Sequence, residues 1–447
     1  MHPCFIIRGA DVLITMDDQR REIKGGDILV RDGVIEAVGT LLYDDDAQII
    51  DGRGTVVTPG LVNTHAHLFQ SMTRALPATQ NLSKHDGLRH FYPIWARYTP
   101  EHACVSAMVG LAELAFSGCS LTADHPHLLP SGAGLDGSIE AAKSVGLRLH
   151  AVHDVTHSQG NTSNQNPNSV VTQHDHILTQ SAQCIDAFHD PREGAMTRIA
   201  LGACFPHDVE SEVMQRTADV ARDKGVMLHS SIGCSAFDVS YTIENKHKNM
   251  IERLHDLGWT GADVWLAGAT KLDQHHIELL AETQTRMTHT PCSDCRFGLG
   301  IAPIQALRNA GVCVGLGTDG GASNDVSNLM SEARQAMLLQ RVMNGPEAMT
   351  AREALEMATR GGAQVLGRTD LGQISVGMRA DIAIWDVADI ESAGAWDPAA
   401  LLLAGPTQVK HLFVEGKHVI NNGWLATLDI SRVLTRHSAL VRGLQAA

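Results

Sequence analysis

Two hydrophobic patterns divide the chain. Near the N-terminus, short apolar and β-branched runs alternate with turns: Phe5-Ile6-Ile7-Arg8, Asp11-Val12-Leu13-Ile14-Thr15, Asp27-Ile28-Leu29-Val30 and Val34-Ile35-Glu36-Ala37-Val38. Asp32-Gly33 between the last two is a strong hairpin signal. The pattern returns at 380–385 and 409–420. These blocks are expected to pair into one small β-sandwich made of residues 1–55 and 371–447. In the long middle, strand-like and helix-like segments alternate as βα units do. Its apolar runs end at His67, near His125, His153, Cys204, Ser231 and Ala267, and at His289 and Asp319. Eight such runs are the number that closes a (β/α)8 barrel, here spanning 56–370. Helical stretches are predicted at 101–117, 138–145, 210–224 and 275–284, and the last 20 residues read as a surface helix. The fold class is therefore α/β, a TIM barrel with a β-sandwich built from both chain ends. The Ser-, Asn- and Gln-rich residues 157–170 read as a loop, either a lid or a solvated connection.

A length of 447 residues suits one large α/β domain plus a smaller one. Thirty-five Lys and Arg against 50 Asp and Glu give a net charge of −15, which argues against a nucleic-acid partner. The first residues lack the charged and apolar regions of a secretory signal, and no apolar run suggests a membrane span. The nine cysteines are scattered, mostly in apolar runs, and read as reduced thiols of a cytoplasmic protein. Cys292-x-x-Cys295 has no second such pair to make a structural zinc site. The expected partners are a small-molecule substrate and further copies of the chain.

Two stretches carry candidate chemistry. Thr55-Val56-Val57-Thr58-Pro59-Gly60-Leu61-Val62-Asn63-Thr64-His65-Ala66-His67 is an apolar run ending in His-x-His. On a strand, residues two apart share a face, so His65 and His67 can address one ion. The rival is coincidence in a chain with 24 histidines. The second stretch, Val312-Cys313-Val314-Gly315-Leu316-Gly317-Thr318-Asp319-Gly320-Gly321, stops at an acid in a Gly-rich turn. Asp319 there suits metal binding or proton transfer, or simply caps the next helix.

With Pro59-Gly60-Leu61-Val62-Asn63-Thr64-His65-Ala66-His67 and Gly315-Leu316-Gly317-Thr318-Asp319-Gly320-Gly321-Ala322-Ser323-Asn324, the chain resembles the amidohydrolase superfamily, and within it the 8-oxoguanine and guanine-type deaminases. The likeness extends over nearly the whole chain, including Phe91-Tyr92-Pro93-Ile94-Trp95-Ala96-Arg97, Leu299-Gly300-Ile301-Ala302-Pro303 and Glu332-Ala333-Arg334-Gln335-Ala336. It implies one divalent metal ion held by His65, His67 and Asp319: zinc first, manganese or iron as alternatives. It also implies that Asp319 takes a proton from metal-activated water, and that Gln70, Arg74, Trp95 and His289 contact the substrate. For His289, which is also a catalytic candidate, the rival is a strand-end histidine bonded to backbone.

Three positions depart from the pattern that the resemblance implies. The expected strand-five His-x-x-Glu aligns with Ser231 and Cys234 in Val226-Met227-Leu228-His229-Ser230-Ser231-Ile232-Gly233-Cys234. His229 lies on the same strand face, roughly 6–7 Å deeper, and reads as a core histidine. The expected strand-six histidine is Gly268. Cys234 is thus a catalytic candidate, as metal ligand or proton carrier, or else filler. The expected reaction is attack of water on an sp² ring carbon of a small nitrogen heterocycle. The changed residues suggest a leaving group other than ammonia, such as a thioxo group released as hydrogen sulfide from a thiohydantoin-like ring. The alternatives are a deaminase of an oxidised purine, pterin or triazine, and an inactive binding homologue.

Overall fold

The computed structural model describes residues 4–127, 135–156, 167–232, 239–240, 243–244, 248–405 and 409–446, with backbone alone over 167–174. Its central feature is a closed barrel of eight parallel strands. They are Leu61–Asn63, Cys119–Asp124, Arg148–Asp154, Thr197–Ala203, Met227–Ser231, Val264–Ala267, Arg286–His289 and Val314–Leu316. Leu316 pairs with Asn63 and closes the ring. Parallel strands are covered on both faces, which is why they read as nearly continuous apolar runs. Every strand end expected from the pattern falls at the C-terminal mouth. Beyond the barrel, strands one and eight continue as the short pair Ala66–His67 and Asp319–Gly320, with Asp319 opposite Ala66.

The helices start and stop where local chemistry dictates. Pro100–Phe116 has Thr99 as N-cap and proline in its first turn. Gln274–Glu282 is capped by Asp273. Ser211–Lys224 ends at Gly225, whose φ of 67° is the left-handed conformation that terminates a helix. Residues 157–166 of the predicted loop lie outside the described residues, and Pro167–Phe188 is helical.

Strands from both chain ends form two further sheets, one of four strands and one of seven. Phe5, Ile28, Val30, Ile382 and Phe413 are among the core between them, with Phe5 and Phe413 stacked at 4.6 Å. Thr55–Pro59, of which residues 56–59 were expected in the barrel, pairs with Ile382–Asp386 in the seven-stranded sheet. Gly60 marks the transfer to the barrel, because a Cβ there would come within 2.5 Å of Ser120 Oγ. The C-terminal helix Ile430–Gln445 leaves the β-sheets and packs on Pro100–Phe116. Its Leu440 and Leu444 join Phe69, Trp95 and Tyr98 in one buried cluster. No helix among the described residues is long and apolar enough to cross a membrane.

Candidate metal centre and active site

The pairing of Asp319–Gly320 with Ala66–His67 carries strand eight's acid to strand one's histidines. Asp319 sits at φ 55°, a left-handed conformation that Asp tolerates better than most side chains. Its N–H donates to the His65 carbonyl at 3.1 Å. The flanking glycines are required by close approach: a Cβ at Gly317 would come within 2.8 Å of His65 Cβ, and one at Gly320 within 2.0 Å of Gln70 Oε1.

His65 Nε2 lies 3.8 Å and His67 Nε2 3.4 Å from Asp319 Oδ1. The far nitrogens fix this orientation. His67 Nδ1 donates to the His125 carbonyl at 2.7 Å. His65 Nδ1 meets His229 Nε2 at 2.8 Å, and His229 Nδ1 meets the Trp265 carbonyl at 2.9 Å. The Trp265 carbonyl makes His229 Nδ1 the donor, so His229 Nε2 accepts from His65 and the His65 Nε2 lone pair faces Asp319. His229 is thus a satisfied core histidine that also aims His65.

Burial, reinforced by the neighbouring imidazoles, holds His65 well below its ordinary pKa. Burial lowers His67 to about 4, against the pull of Asp319. Burial would push Asp319 up, but Lys84, His67 and hydrogen bonds from Ser293 and Ser323 outweigh it and keep the carboxyl below its usual range. The Ser293 Oγ bond is 2.7 Å. Two neutral imidazoles and one carboxylate, with ligand atoms within 4.8 Å of one another, fit a divalent metal.

Above these residues lies a cavity of about 370 Å³. Its walls include Phe91, Tyr92, Trp95, Phe205 and Phe297, with Lys84, Arg89 and Asp208 among the polar groups. Gln70 and Trp95, both predicted substrate contacts, line it. Gln70 Oε1 accepts from Ala322 N at 3.2 Å, and Trp95 Nε1 donates to Thr73 Oγ1 at 3.2 Å. Arg74, also expected at the substrate, does not line the cavity, and its guanidinium is held by Glu113 on the Pro100–Phe116 helix.

His289, also expected at the substrate, is not part of the cavity wall. It is fully buried, and neither ring nitrogen has a hydrogen-bond partner among the described residues; Nδ1 is 3.6 Å from Asp294 Oδ2. Burial pushes Asp294 up to about 8, with Asp319 and Glu332 adding to the rise.

Of the three departures, Ser231 lines the cavity, so the strand-five position presents a hydroxyl. Gly268 adopts φ 90°, a conformation in which a histidine would be strained. Cys234 lies outside the described residues. Cys292 and Cys295 join no cluster of metal-ligating side chains among the described residues. The sequence reading missed Lys84, His127 and Cys204, all of which line the cavity. For His127 a signal existed: Asp124-His125-Pro126-His127 is a second His-x-His just past a barrel strand.

The amidohydrolase family model matches residues 56–419. The chain is 35% identical over 425 residues to the 8-oxoguanine deaminase of Pseudomonas aeruginosa, covering 94% of this chain and 95% of that one. It is 32% identical over 447 residues to hydroxydechloroatrazine ethylaminohydrolase of Pseudomonas sp. strain ADP, covering 94% and 92%. The crystal structure of atrazine chlorohydrolase from Arthrobacter aurescens TC1, complexed with zinc, matches with a TM-score of 0.91 at 32% identity, over 98% of this chain and 100% of that one. Barrel, mouth and sequence agree: the chain belongs to the amidohydrolase family.

Proposed function

We propose that the protein hydrolyses a small nitrogen heterocycle, replacing an exocyclic amine on an sp² ring carbon with oxygen from water. The observation that carries this reading is the convergence of His65, His67 and Asp319 beneath an aromatic-walled cavity sized for one or two rings. His65, His67 and Asp319 would hold a divalent ion, which would supply Lewis-acid activation of the attacking water. The donor set suits zinc, and the zinc complex of the structural neighbour supports that ion. Asp319, ionised and held by Ser293, takes the proton of the attacking water. Phe91, Tyr92 and Trp95 offer flat apolar faces to a planar ring, and Gln70 stands at its edge to orient it. The names of the deaminase and ethylaminohydrolase relatives favour an amine as the departing group, and none of the relatives above supports a desulfhydrase.

One observation favours a second reading. Cys234 stands where the resemblance implies a carboxylic acid after strand five, and an amine must be protonated to depart. A group that leaves as a stabilised anion escapes that need; hydrosulfide from a thioxo-imidazolidinone is the case to test.

The test is to load the purified protein with zinc, manganese or iron and offer it aminated purines, pterins and triazines beside 2-thioxo-imidazolidinones. Ammonia release, absent in His67→Ala, supports the first reading. Sulfide release alone moves the assignment to the second. Neither product from metal-loaded protein removes both and leaves a binding homologue.

A further inference from the structure

Beside the His65–His67–Asp319 set stands a second group of donors. His67, His127 and Cys204 each offer one ligand atom, and these atoms lie within 4.8 Å of one another. His127 follows strand two and Cys204 follows strand four, and both are buried. One carbonyl organises the two rings. The His125 carbonyl lies 2.7 Å from His67 Nδ1 and 3.3 Å from His127 Nδ1. Each ring therefore carries its proton on Nδ1 and keeps a lone pair on Nε2. His127 is 3% exposed, and its Nε2 has no hydrogen-bond partner among the described residues. An imidazole lone pair left unpaired in the interior is costly, and a cation would satisfy it.

Cys204 is held with equal care. Its N–H donates to Asp154 Oδ2 at 2.9 Å, and the same oxygen meets His125 Nε2 at 2.5 Å. Cys204 lines the same cavity as Ser231, the strand-five position where the resemblance leads one to expect a histidine ligand. The sulfur-bearing residue thus shares a cavity wall with the place where a ligand is missing.

We propose that His127 and Cys204 are metal ligands, joining His67 in a nitrogen–nitrogen–sulfur set for a divalent cation and standing in for the ligand that Ser231 does not provide. The proposal rests on the metal reading above, and extends it from a hard nitrogen–oxygen shell to one containing sulfur. On binding, the thiol releases its proton to solvent and the sulfur lone pair is donated to the cation. Sulfur in the shell shifts preference toward zinc and cobalt over manganese.

Cobalt(II) makes the claim visible, because a thiolate ligand adds an intense sulfur-to-cobalt charge-transfer band in the near ultraviolet. The full-length protein is stripped with chelator and titrated with cobalt. The expected result is a charge-transfer band that saturates with uptake, is absent in Cys204→Ser and persists in Cys234→Ser. His127→Asn, which keeps a polar side chain of similar reach, is expected to weaken cobalt binding at least about tenfold. Stoichiometric cobalt uptake without the band overturns the proposal while leaving the metal reading intact. A band that survives Cys204→Ser and disappears in Cys234→Ser also overturns it, because the sulfur ligand is then Cys234. Failure to take up cobalt at all removes the metal reading as well.

Discussion

Two buried clusters, one below the barrel and one at its mouth, treat their polar groups in opposite ways. At the N-terminal end, Arg148 begins strand three, is wholly buried, and has every guanidinium nitrogen engaged. Nε and Nη2 grip both oxygens of Asp381 at 2.9 Å, Nη2 also reaches Glu415, and Nη1 donates to the Gly194 carbonyl at 2.5 Å. Arg368 grips Asp370 in the same bidentate way at 2.8 Å, and Asp370 accepts from Gly194 N. Against burial, Arg368 holds the Asp370 carboxyl well below its usual range. At the C-terminal mouth, His127 Nε2, both nitrogens of His289 and both oxygens of Asp294 lack partners among the described residues. Paired charges join the barrel to the β-sheets. A buried polar group left bare costs stability, and at His127 a cation would recover it.

That contrast breaks first at Asp319. Asp319→Asn keeps a ligating oxygen and loses the base, so turnover should fall by about 10²–10⁴-fold with the unfolding midpoint nearly unchanged. Native turnover, measured on the best substrate of the panel, would take the base away from Asp319. Arg148→Met should do the reverse. Stranding Asp381, while Glu415 keeps Arg379, should cost about 3–5 kcal/mol in urea unfolding of the metal-free protein, while cobalt uptake per folded molecule stays constant. A loss below about 1 kcal/mol would mean that the network does not hold the two parts together.

Two further effects sharpen the comparison at the mouth. His229→Leu removes the partner that aims His65, and chelator competition should show metal affinity lowered by about 10–100-fold. Unchanged affinity would leave His229 as packing alone. The last effect belongs to Asp294, whose carboxyl is pushed up to about 8 when folded, against an ordinary value near 4. Between those values the folded state binds the proton more tightly, so stability from this group falls as pH rises, with a slope of at most about 1.4 kcal/mol per pH unit. Asp294→Asn abolishes that fall. The metal-free variant should gain on the parent protein between pH 5 and 8, as read from unfolding midpoints. Parallel curves would show that Asp294 ionises freely.

The chain's linear pattern by itself determined the architecture: eight apolar runs became eight barrel strands, and Asp32-Gly33 became the turn of a hairpin. It also singled out His65, His67 and Asp319, because metal donors at strand ends bear a local signature that needs no partner to be read. Local pattern could not decide which sheet Thr55–Pro59 joins, since a buried strand has the same composition in a barrel and in a sandwich. Nor could it show that Arg74 turns to Glu113, that His229 aims His65, or that His127 and Cys204 meet at His67. Those pairs lie on different strands and helices. Their distances are set by barrel closure and by the tautomer each neighbour imposes, quantities that exist only once the chain has folded.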